Sequence, residues 1–217
     1  MIKKCIGIIS YLPPETKNNK RRSRVNLLNE TIKSCDESFD LPIIIIAQNW
    51  KDDKVELSKN CIVYHYEKLG IPLARNTLRQ KFLESGFDYL IMLDDDCVLS
   101  GNGEGYLKEL DENPNCVFIK YINQLKLFAI SKHIYSQVEM PNVDAEKNEG
   151  VEDEIFINIM KIKFKDKFFT IKNKDVKIDY FRSFQSSTWR TLNTSNDLLI
   201  ANTDRIIKEL EQSEKQI

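Results

Sequence analysis

The stretch Gly86-Phe87-Asp88-Tyr89-Leu90-Ile91-Met92-Leu93-Asp94-Asp95-Asp96 decides the fold. Its largely apolar part, 87–93, is a short run with Gly86 before it and acidic residues after it, which is typical of a strand buried on both faces of a sheet. The stretch therefore predicts a central strand that carries Asp94, Asp95 and Asp96 directly at its carboxyl end.

The segments before this stretch alternate between strand and helix patterns. The patterns predict strands at 4–10, 43–46 and 61–66 and helices at 23–36 and 72–85. Pro72 suits a first helical position, and Gly86 suits the end of the same helix. Strands that alternate with helices are typical of a mostly parallel sheet. The sequence thus predicts an α/β fold with a central sheet flanked by helices.

The second half of the chain is less regular. It predicts a Gly-rich loop at 101–105, a helix near 104–112, strands near 116–122 and 126–131, a helix near 151–161 and a charged helical tail at 196–214. In parallel α/β sheets, ligands bind outside the carboxyl ends of the strands. Ser10-Tyr11, Gln48 and the three aspartates fall at such ends, so they are the first candidates for a binding site.

Length and composition indicate one ordinary globular domain over residues 1–217. The net charge of −1 provides no overall field that would recruit nucleic acid or anionic lipid. The apolar run at 41–47 is far below the ~20 residues of a membrane-spanning helix, and the start of the chain lacks a signal-peptide pattern. We therefore expect a cytoplasmic protein without a transmembrane segment. Five cysteines without a Cys-x-x-Cys pair indicate reduced, structural thiols.

Three adjacent carboxylates after a buried strand disfavour one another's ionisation unless something compensates their charge. A hard divalent cation, Mn²⁺ or Mg²⁺, is a natural compensation because it prefers oxygen ligands, and a diphosphate can complete its shell. A solvated Asp-rich turn is the structural alternative. A second charged feature is the basic loop 17–24, which suits a lid over a diphosphate, a grip on an anionic acceptor, or a solvated surface.

The segments Gly70-Ile71-Pro72-Leu73-Ala74-Arg75-Asn76-Thr77-Leu78-Arg79 and 86–96 together resemble nucleotide-diphospho-sugar transferases of the GT-A fold, particularly family 2-like glycosyltransferases. Those enzymes carry an Ala-Arg-Asn helix and an Asp-x-Asp metal motif at the end of a strand. Residues 127–132 and 150–156 are similar to the family's acceptor-side strand and to its Glu-Asp segment at a helix start. The resemblance covers roughly residues 4–180 and implies a Rossmann-like single GT-A domain. It divides the chain into a nucleotide-sugar-binding half (1–100), an acceptor and catalytic half (101–190) and a C-terminal helical tail (191–217).

The resemblance implies a role for individual residues. Asp153 corresponds to the catalytic base, with Glu152 beside it, although acidic residues also suit the first turn of any helix. With Arg24 of the basic loop included, the expected donor-binding residues are Ser10, Tyr11, Arg24, Gln48, Arg75, Asn76, Arg79, Asp94 and Asp95.

The expected metal ligands are Asp96 and Asp94, with a third ligand that departs from the family. Family members often supply a histidine after the base, whereas this chain has only His65 and His133, both before it. Asp179 stands at the corresponding place, and an aspartate is a competent oxygen ligand for Mn²⁺ or Mg²⁺.

The sequence therefore predicts a metal-dependent, inverting glycosyltransferase that moves a sugar from a nucleoside diphosphate donor, expected to be a UDP-sugar, to an acceptor hydroxyl. A glycan, a peptide or a modified nucleic acid remain open as acceptors. A nucleotidyltransferase is one alternative, but Pro13-Pro14 occupies the place of its Gly-rich loop. A non-catalytic nucleotide-sugar-binding module is another, although the intact carboxylates disfavour it.

Overall fold

Strands and helices alternate along the first half of the chain, as the apolar patterns predict. The computed structural model describes residues 2–14, 18–51, 54–121, 125–141 and 152–180, without the side chains of 18–21, 152, 179 and 180. The strands are β1 (Lys4–Tyr11), β2 (Ile43–Gln48), β3 (Cys61–Tyr66), β4 (Tyr89–Asp94), β5 (Cys97–Ser100), β6 (Val117–Ile119), β7 (Phe128–Ser131), β8 (Phe168–Thr170) and β9 (Lys177–Tyr180). The helices are α1 (Asn18–Phe39), α2 (Ile71–Glu84), α3 (Glu104–Glu112), α4 (Lys132–Tyr135) and α5 (Glu152–Lys163).

Seven of these strands form one sheet in the order β3-β2-β1-β4-β7-β6-β8. Strand β1 pairs in parallel with β2 and β4, and β2 pairs in parallel with β3. Strand β7 runs antiparallel to both of its neighbours, β4 and β6, whereas β6 and β8 are parallel. The α/β fold with a mostly parallel central sheet is thus confirmed. The reversal of β7 matters for the site, because the beginning of β7 lies at the edge where β1, β2 and β4 end.

Each face of the sheet is covered by its own apolar layer, since successive side chains of a strand point to opposite faces. On one face the sheet packs against α2, α4 and α5, with Phe82 and Phe156 fully buried there. On the other it packs against α1, α3 and the separate antiparallel pair β5–β9, with Leu28 and Tyr106 fully buried. Helices therefore flank both faces of the sheet, which leaves its edge with the strand ends available for a site.

Gly7 allows α2 to approach β1 closely. A Cβ atom at this position would lie 2.7 Å from Leu90 Cδ1 and 2.8 Å from Leu78 Cδ2, which is closer than real Cβ contacts. The absence of a side chain at position 7 thus lets Leu78 of α2 pack directly on β1.

Several elements differ from the sequence-based expectations. Helix α1 begins at Asn18 and not at residue 23, so the expected basic loop is helical from that point. Lysine and arginine are good helix formers, so the basic residues before position 23 favour extension of the helix toward the N-terminus. The short strands β5, β8 and β9 and the single-turn helix α4 were not anticipated, because three or four residues carry little periodicity.

The tail at 196–214, expected to be helical, lies outside the described residues. Among the residues that the structure describes, no helix is both long and apolar enough to cross a membrane.

Candidate active site

The carboxyl ends of the central strands bring the expected site residues to one edge of the sheet. Tyr11 at the end of β1 pairs in register with Gln48 at the end of β2, and Ile9 pairs with Asp94 at the end of β4. Asp95 and Asp96 occupy the turn that joins β4 to β5. Parallel pairing therefore places Ser10, Tyr11, Gln48 and the acidic run next to one another, as the sequence predicts.

Asp94 lies between two cationic side chains. Arg75 of α2 donates to its Oδ1 atom at 3.0 Å, and the ammonium of Lys126, which precedes β7, lies 3.6 Å from its Oδ2 atom. Burial raises the pKa of Asp94, but the charges of Arg75 and Lys126 outweigh this effect, so the pKa lies below its ordinary value. Asp94 is therefore a carboxylate at neutral pH.

Arg75 also reaches Asp153, the expected base at the start of α5. Only 2% of Arg75 is exposed, and its guanidinium lies 3.6 Å from Asp153 Oδ1. Burial lowers the pKa of Arg75, but Asp153 and Asp94 outweigh burial and raise it, so the side chain stays charged. Because one nitrogen of Arg75 contacts both residues, the contacting oxygens of Asp94 and Asp153 lie at most about 6.6 Å apart. The backbone N–H of Leu125 also donates to Asp153, at 3.4 Å.

Asp95 is the most deeply buried of the three aspartates, and Arg24 of α1 pairs with its Oδ1 atom. Thr31, about two turns further along α1, donates to the Asp95 backbone carbonyl at 3.2 Å. Burial raises the pKa of Asp95 despite the opposing charge of Arg24, and the charge of Asp95 in turn raises the pKa of Arg24. The Ser10 hydroxyl opposes this rise in the pKa of Asp95. Asp95 therefore anchors the acidic run to α1.

Asp96 is the aspartate of the run with the most exposed side chain, at 28%. Its Oδ2 atom lies 3.5 Å from Arg24, a longer contact than Arg24 makes with Asp95. Among the described residues, Asp94, Asp96 and Cys97 form a group whose ligand atoms all lie within 4.8 Å of one another. Burial raises the pKa of Cys97, and the charge of Asp94 adds to this, so the thiol stays neutral. The oxygens of Asp94 and Asp96 therefore fit a hard cation such as Mn²⁺ or Mg²⁺, and the thiol does not.

The expected third metal ligand and the residue beside the base fall partly outside the described structure. The backbone of Asp179 on β9 pairs with Val98 on β5, two residues after Asp96, but the Asp179 side chain is not among the described residues. Glu152 begins α5, and its side chain is likewise outside the described part of the chain.

Two residues expected at the donor have their described contacts elsewhere. The amide of Asn76 exchanges two hydrogen bonds with the backbone of Met140, at 2.9 and 2.8 Å. Arg79 donates to the backbone carbonyls of Tyr135 and Ser136, and also pairs with Glu139. These side chains hold the segment 135–140 against α2 and are not brought to the acidic run by any described contact.

Gln48 shapes the entry to α2. Its buried side-chain carbonyl accepts a hydrogen bond from the Leu69 N–H at 2.9 Å, just before Gly70, whose φ of 79° favours glycine. Gln48 therefore helps to fix the start of α2, the helix that carries Arg75.

A cleft of about 590 Å³ opens at the carboxyl ends of β2 and β3. Its lining combines aromatic, cationic and acidic side chains, from Asn49, Trp50, Lys51, His65, Tyr66, Glu67 and Lys68. The Lys68 ammonium also lies over the Tyr11 ring, 5.9 Å from its centre, which connects the cleft to the end of β1.

Three residues of the site were not anticipated from the sequence: Lys126, Thr31 and Cys97. Lys126 precedes a strand, so only knowledge that β7 runs antiparallel to β4 would place it at the carboxyl edge. Thr31 was recognised only as part of a helical pattern, and Cys97 only as a structural thiol.

No protein-family model matches the sequence, and no curated protein matches it significantly. Solved structures, in contrast, are similar. Two crystal structures of TarS from S. aureus have TM-scores of 0.55 and 0.57 at 12% and 13% identity, and both matches cover 81% of this chain. The matches cover 59% and 36% of the respective TarS chains.

The mannosyltransferase PcManGT from Pyrobaculum calidifontis, solved in complex with GDP-Man and Mn²⁺, is similar with a TM-score of 0.55 at 13% identity. That match covers 87% of this chain and 59% of PcManGT, so the chain spans less than two thirds of each of these proteins. At such identities the likeness shows the fold, and it confirms the GT-A-like fold expected from the sequence.

Proposed function

We propose that this chain is a single-domain, metal-dependent glycosyltransferase that moves a sugar from a nucleoside diphosphate donor to an acceptor hydroxyl with inversion. One observation carries the proposal: Asp94 and Asp96 share the end of a central strand, and Arg75 ties Asp94 to Asp153. The acidic pair, Asp94 and Asp96, and the Asp153 carboxylate on α5 are thereby within reach of one small substrate. The similarity to a mannosyltransferase structure with GDP-Man and Mn²⁺ supports the same activity.

Asp96 is the proposed principal ligand of the cation, because its side chain is the most accessible and its contact with Arg24 is long. Asp94 is the second ligand, and Asp179 is kept as a candidate third ligand. When bound, Mn²⁺ or Mg²⁺ would neutralise the diphosphate and polarise its oxygens as a Lewis acid. Arg24, Arg75 and Lys126 hold the carboxylates in place around the cation site.

Asp153 is the proposed general base. It takes the proton of the acceptor hydroxyl as that oxygen attacks the anomeric carbon, and the bond from this carbon to the phosphate oxygen breaks with its electron pair on the phosphate. Attack from the side opposite the leaving group inverts the anomeric centre. The Leu125 N–H and Arg75 orient the Asp153 carboxylate for this role. Glu152, next to it at the start of α5, is the second candidate for the base.

The donor is proposed to lie along the carboxyl edge of the sheet, with its nucleoside toward Tyr11, Gln48 and the cleft at the ends of β2 and β3. A UDP-sugar is the first candidate from the sequence resemblance, and a GDP-sugar is tested beside it because a similar structure holds GDP-Man. The acceptor, whether a glycan, a peptide or a modified nucleic acid, is sought in the same assay.

The test is to incubate the protein with UDP- and GDP-sugars, with Mn²⁺ or with a chelator, and to identify the released nucleotide. A glycosyltransferase releases the nucleoside diphosphate. A nucleotidyltransferase releases no nucleotide from the nucleotide sugar alone, but converts it with added pyrophosphate into nucleoside triphosphate and sugar 1-phosphate. Absence of any nucleotide release while the nucleotide sugar still binds would favour a non-catalytic binding module.

The role of Asp153 is tested by Asp153→Asn, which keeps the shape of the side chain and removes its basicity. Loss of a general base lowers kcat by ~10²–10⁴-fold, and donor affinity should be almost unchanged. Asp166→Asn, at an exposed position after α5, is the matched control and should keep wild-type turnover. A variant at Asp153 that keeps more than about a tenth of its turnover would move the base to Glu152 or Glu154.

A further inference from the structure

Lys126 is a buried lysine in a place where the fold holds its backbone firmly. Only 8% of the residue is exposed, and it lies in the short segment 125–127 that leads into β7. Leu127 has a φ of 50°, a strained value for a residue with a branched side chain, and its carbonyl accepts a hydrogen bond from the buried Tyr106 hydroxyl at 2.8 Å. The same segment presents the Leu125 N–H to Asp153. The segment therefore positions both Lys126 and Asp153, the proposed base.

The charges of the site are distributed unevenly. Around Asp94 and Asp153, two cations, Arg75 and Lys126, face two carboxylates. Around Asp95 and Asp96, the one cation with described contacts is Arg24. Among the described residues the second region is the more negative, so a metal ion held by Asp96 and Asp94 would lie toward it. The described charges of the first region balance, so a phosphate can approach Lys126 there without meeting an excess of negative charge.

The order of the strands places these regions along the path of a donor. The cleft lies at β2 and β3, the acidic run follows β4, and Lys126 precedes β7, the next strand of the sheet. Neighbouring strands are about 4.8 Å apart, so the backbone that leads into β7 lies roughly one strand spacing from β4, on the side of Asp153, and the Lys126 ammonium reaches back to Asp94. A donor with its nucleoside at the cleft would bring its distal phosphate, which carries the sugar, toward Lys126.

We infer that Lys126 binds the sugar-bearing phosphate of the donor and stabilises the negative charge that this phosphate gains when the sugar leaves. This inference rests on the proposed glycosyl transfer. In that step the bond between the anomeric carbon and the phosphate oxygen breaks with its electron pair on the oxygen, and the acceptor proton goes to Asp153. Lys126 takes no part in the proton transfer and exchanges part of its contact with Asp94 for a charge-assisted hydrogen bond to the phosphate.

The experiment compares nucleotides that differ by one phosphate. Calorimetry with UDP, UMP, GDP and GMP in the presence of Mn²⁺ is carried out on wild type, Lys126→Gln and Lys126→Arg. We expect Lys126→Gln to weaken binding of the diphosphate by about tenfold to hundredfold, the range for a hydrogen bond to a charged group, and to leave the monophosphate affinity unchanged. Lys126→Arg, which keeps the charge, should restore most of the diphosphate affinity.

The matched control is Lys132→Gln. Lys132 follows the other end of β7, is also partly buried, and its ammonium donates to the Ser85 carbonyl at 2.6 Å and not to the acidic run. This variant should bind both nucleotides as wild type does. If Lys126→Gln unfolds, the same comparison is made with Lys126→Met, which keeps the apolar length of the side chain and removes only its charge.

The outcomes separate the inference from the proposed function. Equal weakening of monophosphate and diphosphate would mean that Lys126 only supports Asp94, and unchanged diphosphate binding would overturn the inference directly. In either case the proposed transfer would stand. If wild-type protein binds neither UDP nor GDP, the proposed function falls and the inference falls with it.

Discussion

Arg75 is the side chain on which the acidic site depends most, and its replacement provides a demanding test. Arg75→Met keeps the length and the apolar packing of the side chain but removes the cation between Asp94 and Asp153. Removing one partner of a buried ion pair costs about 3–5 kcal/mol, because the remaining charge is left uncompensated. The two carboxylates keep 25% and 21% side-chain exposure, and Lys126 still faces Asp94, so solvent and Lys126 reduce this cost.

With this discount we expect Arg75→Met to lower the free energy of unfolding by about 2–4 kcal/mol. For a protein of this size, each kcal/mol shifts Tm by roughly 2–4 °C, so Tm should fall by roughly 4–16 °C. Urea denaturation in a metal-free buffer measures the free energy, and a thermal scan measures Tm. The matched control is Arg79→Met on the same helix, because Arg79 donates mainly to backbone carbonyls.

The pH dependence separates the ion pairs from simple packing. The folded pKa of Asp94 lies below its ordinary value of 3.8, so the stability that Arg75 provides is present above that value and is lost as pH falls through the lowered folded pKa. The difference between wild type and Arg75→Met should therefore be largest near neutral pH and shrink at about pH 3. The loss caused by Arg79→Met should vary less over the same range. A loss in Arg75→Met that is equally large at both pH values would refute the electrostatic reasoning.

Three further predictions follow from the remaining contacts. Asp96→Ala should bind UDP or GDP equally well in Mn²⁺ and in chelator, as measured by calorimetry, whereas a remaining strong preference for Mn²⁺ would argue against Asp96 as principal ligand. Arg24→Ala should strengthen binding of Mn²⁺ alone, because Arg24 competes with the ion for Asp96, and Arg22→Ala, exposed on the same helix, should not. Gly7→Ala should destabilise the protein by about 1–3 kcal/mol in urea denaturation through overpacking, whereas Gly86→Ala, with open space around it, should change stability far less.

The order of the strands and helices could be predicted from the sequence where the apolar runs were long. The Ile43–Ile46 run, the 61–66 segment and the 86–96 stretch all correspond to strands of the sheet, and Pro72 lies in the first turn of α2. Short elements such as β5 and β9 could not be found, because four residues carry too little periodicity. The direction of β7 was also not predictable from a local pattern, since pairing with β4 is a tertiary property.

Part of the candidate site could also be predicted from the sequence. The acidic run, Arg75, Arg24 and Asp153 were named from their residue types and from the family resemblance, and the structure brings them together. Lys126 was missed because its place in the site depends on the reversal of β7. Asn76 was expected at the donor because it follows Arg75 in the motif, but adjacent helical residues point about 100° apart, and its amide is paired with the Met140 backbone.

The positive charges that compensate the acidic run come from three segments that are distant in sequence. Arg24 belongs to α1, Arg75 to α2, and Lys126 to the segment before β7, and each contacts an aspartate of the run. Such an arrangement exists only when all three segments are folded against the sheet, because unfolded chains do not hold these charges together. The Asp94 carboxylate is therefore kept ionised by the tertiary fold itself. Any ligand that binds through this run should stabilise all three segments together, since a ligand of the folded state alone shifts the unfolding equilibrium of the whole domain.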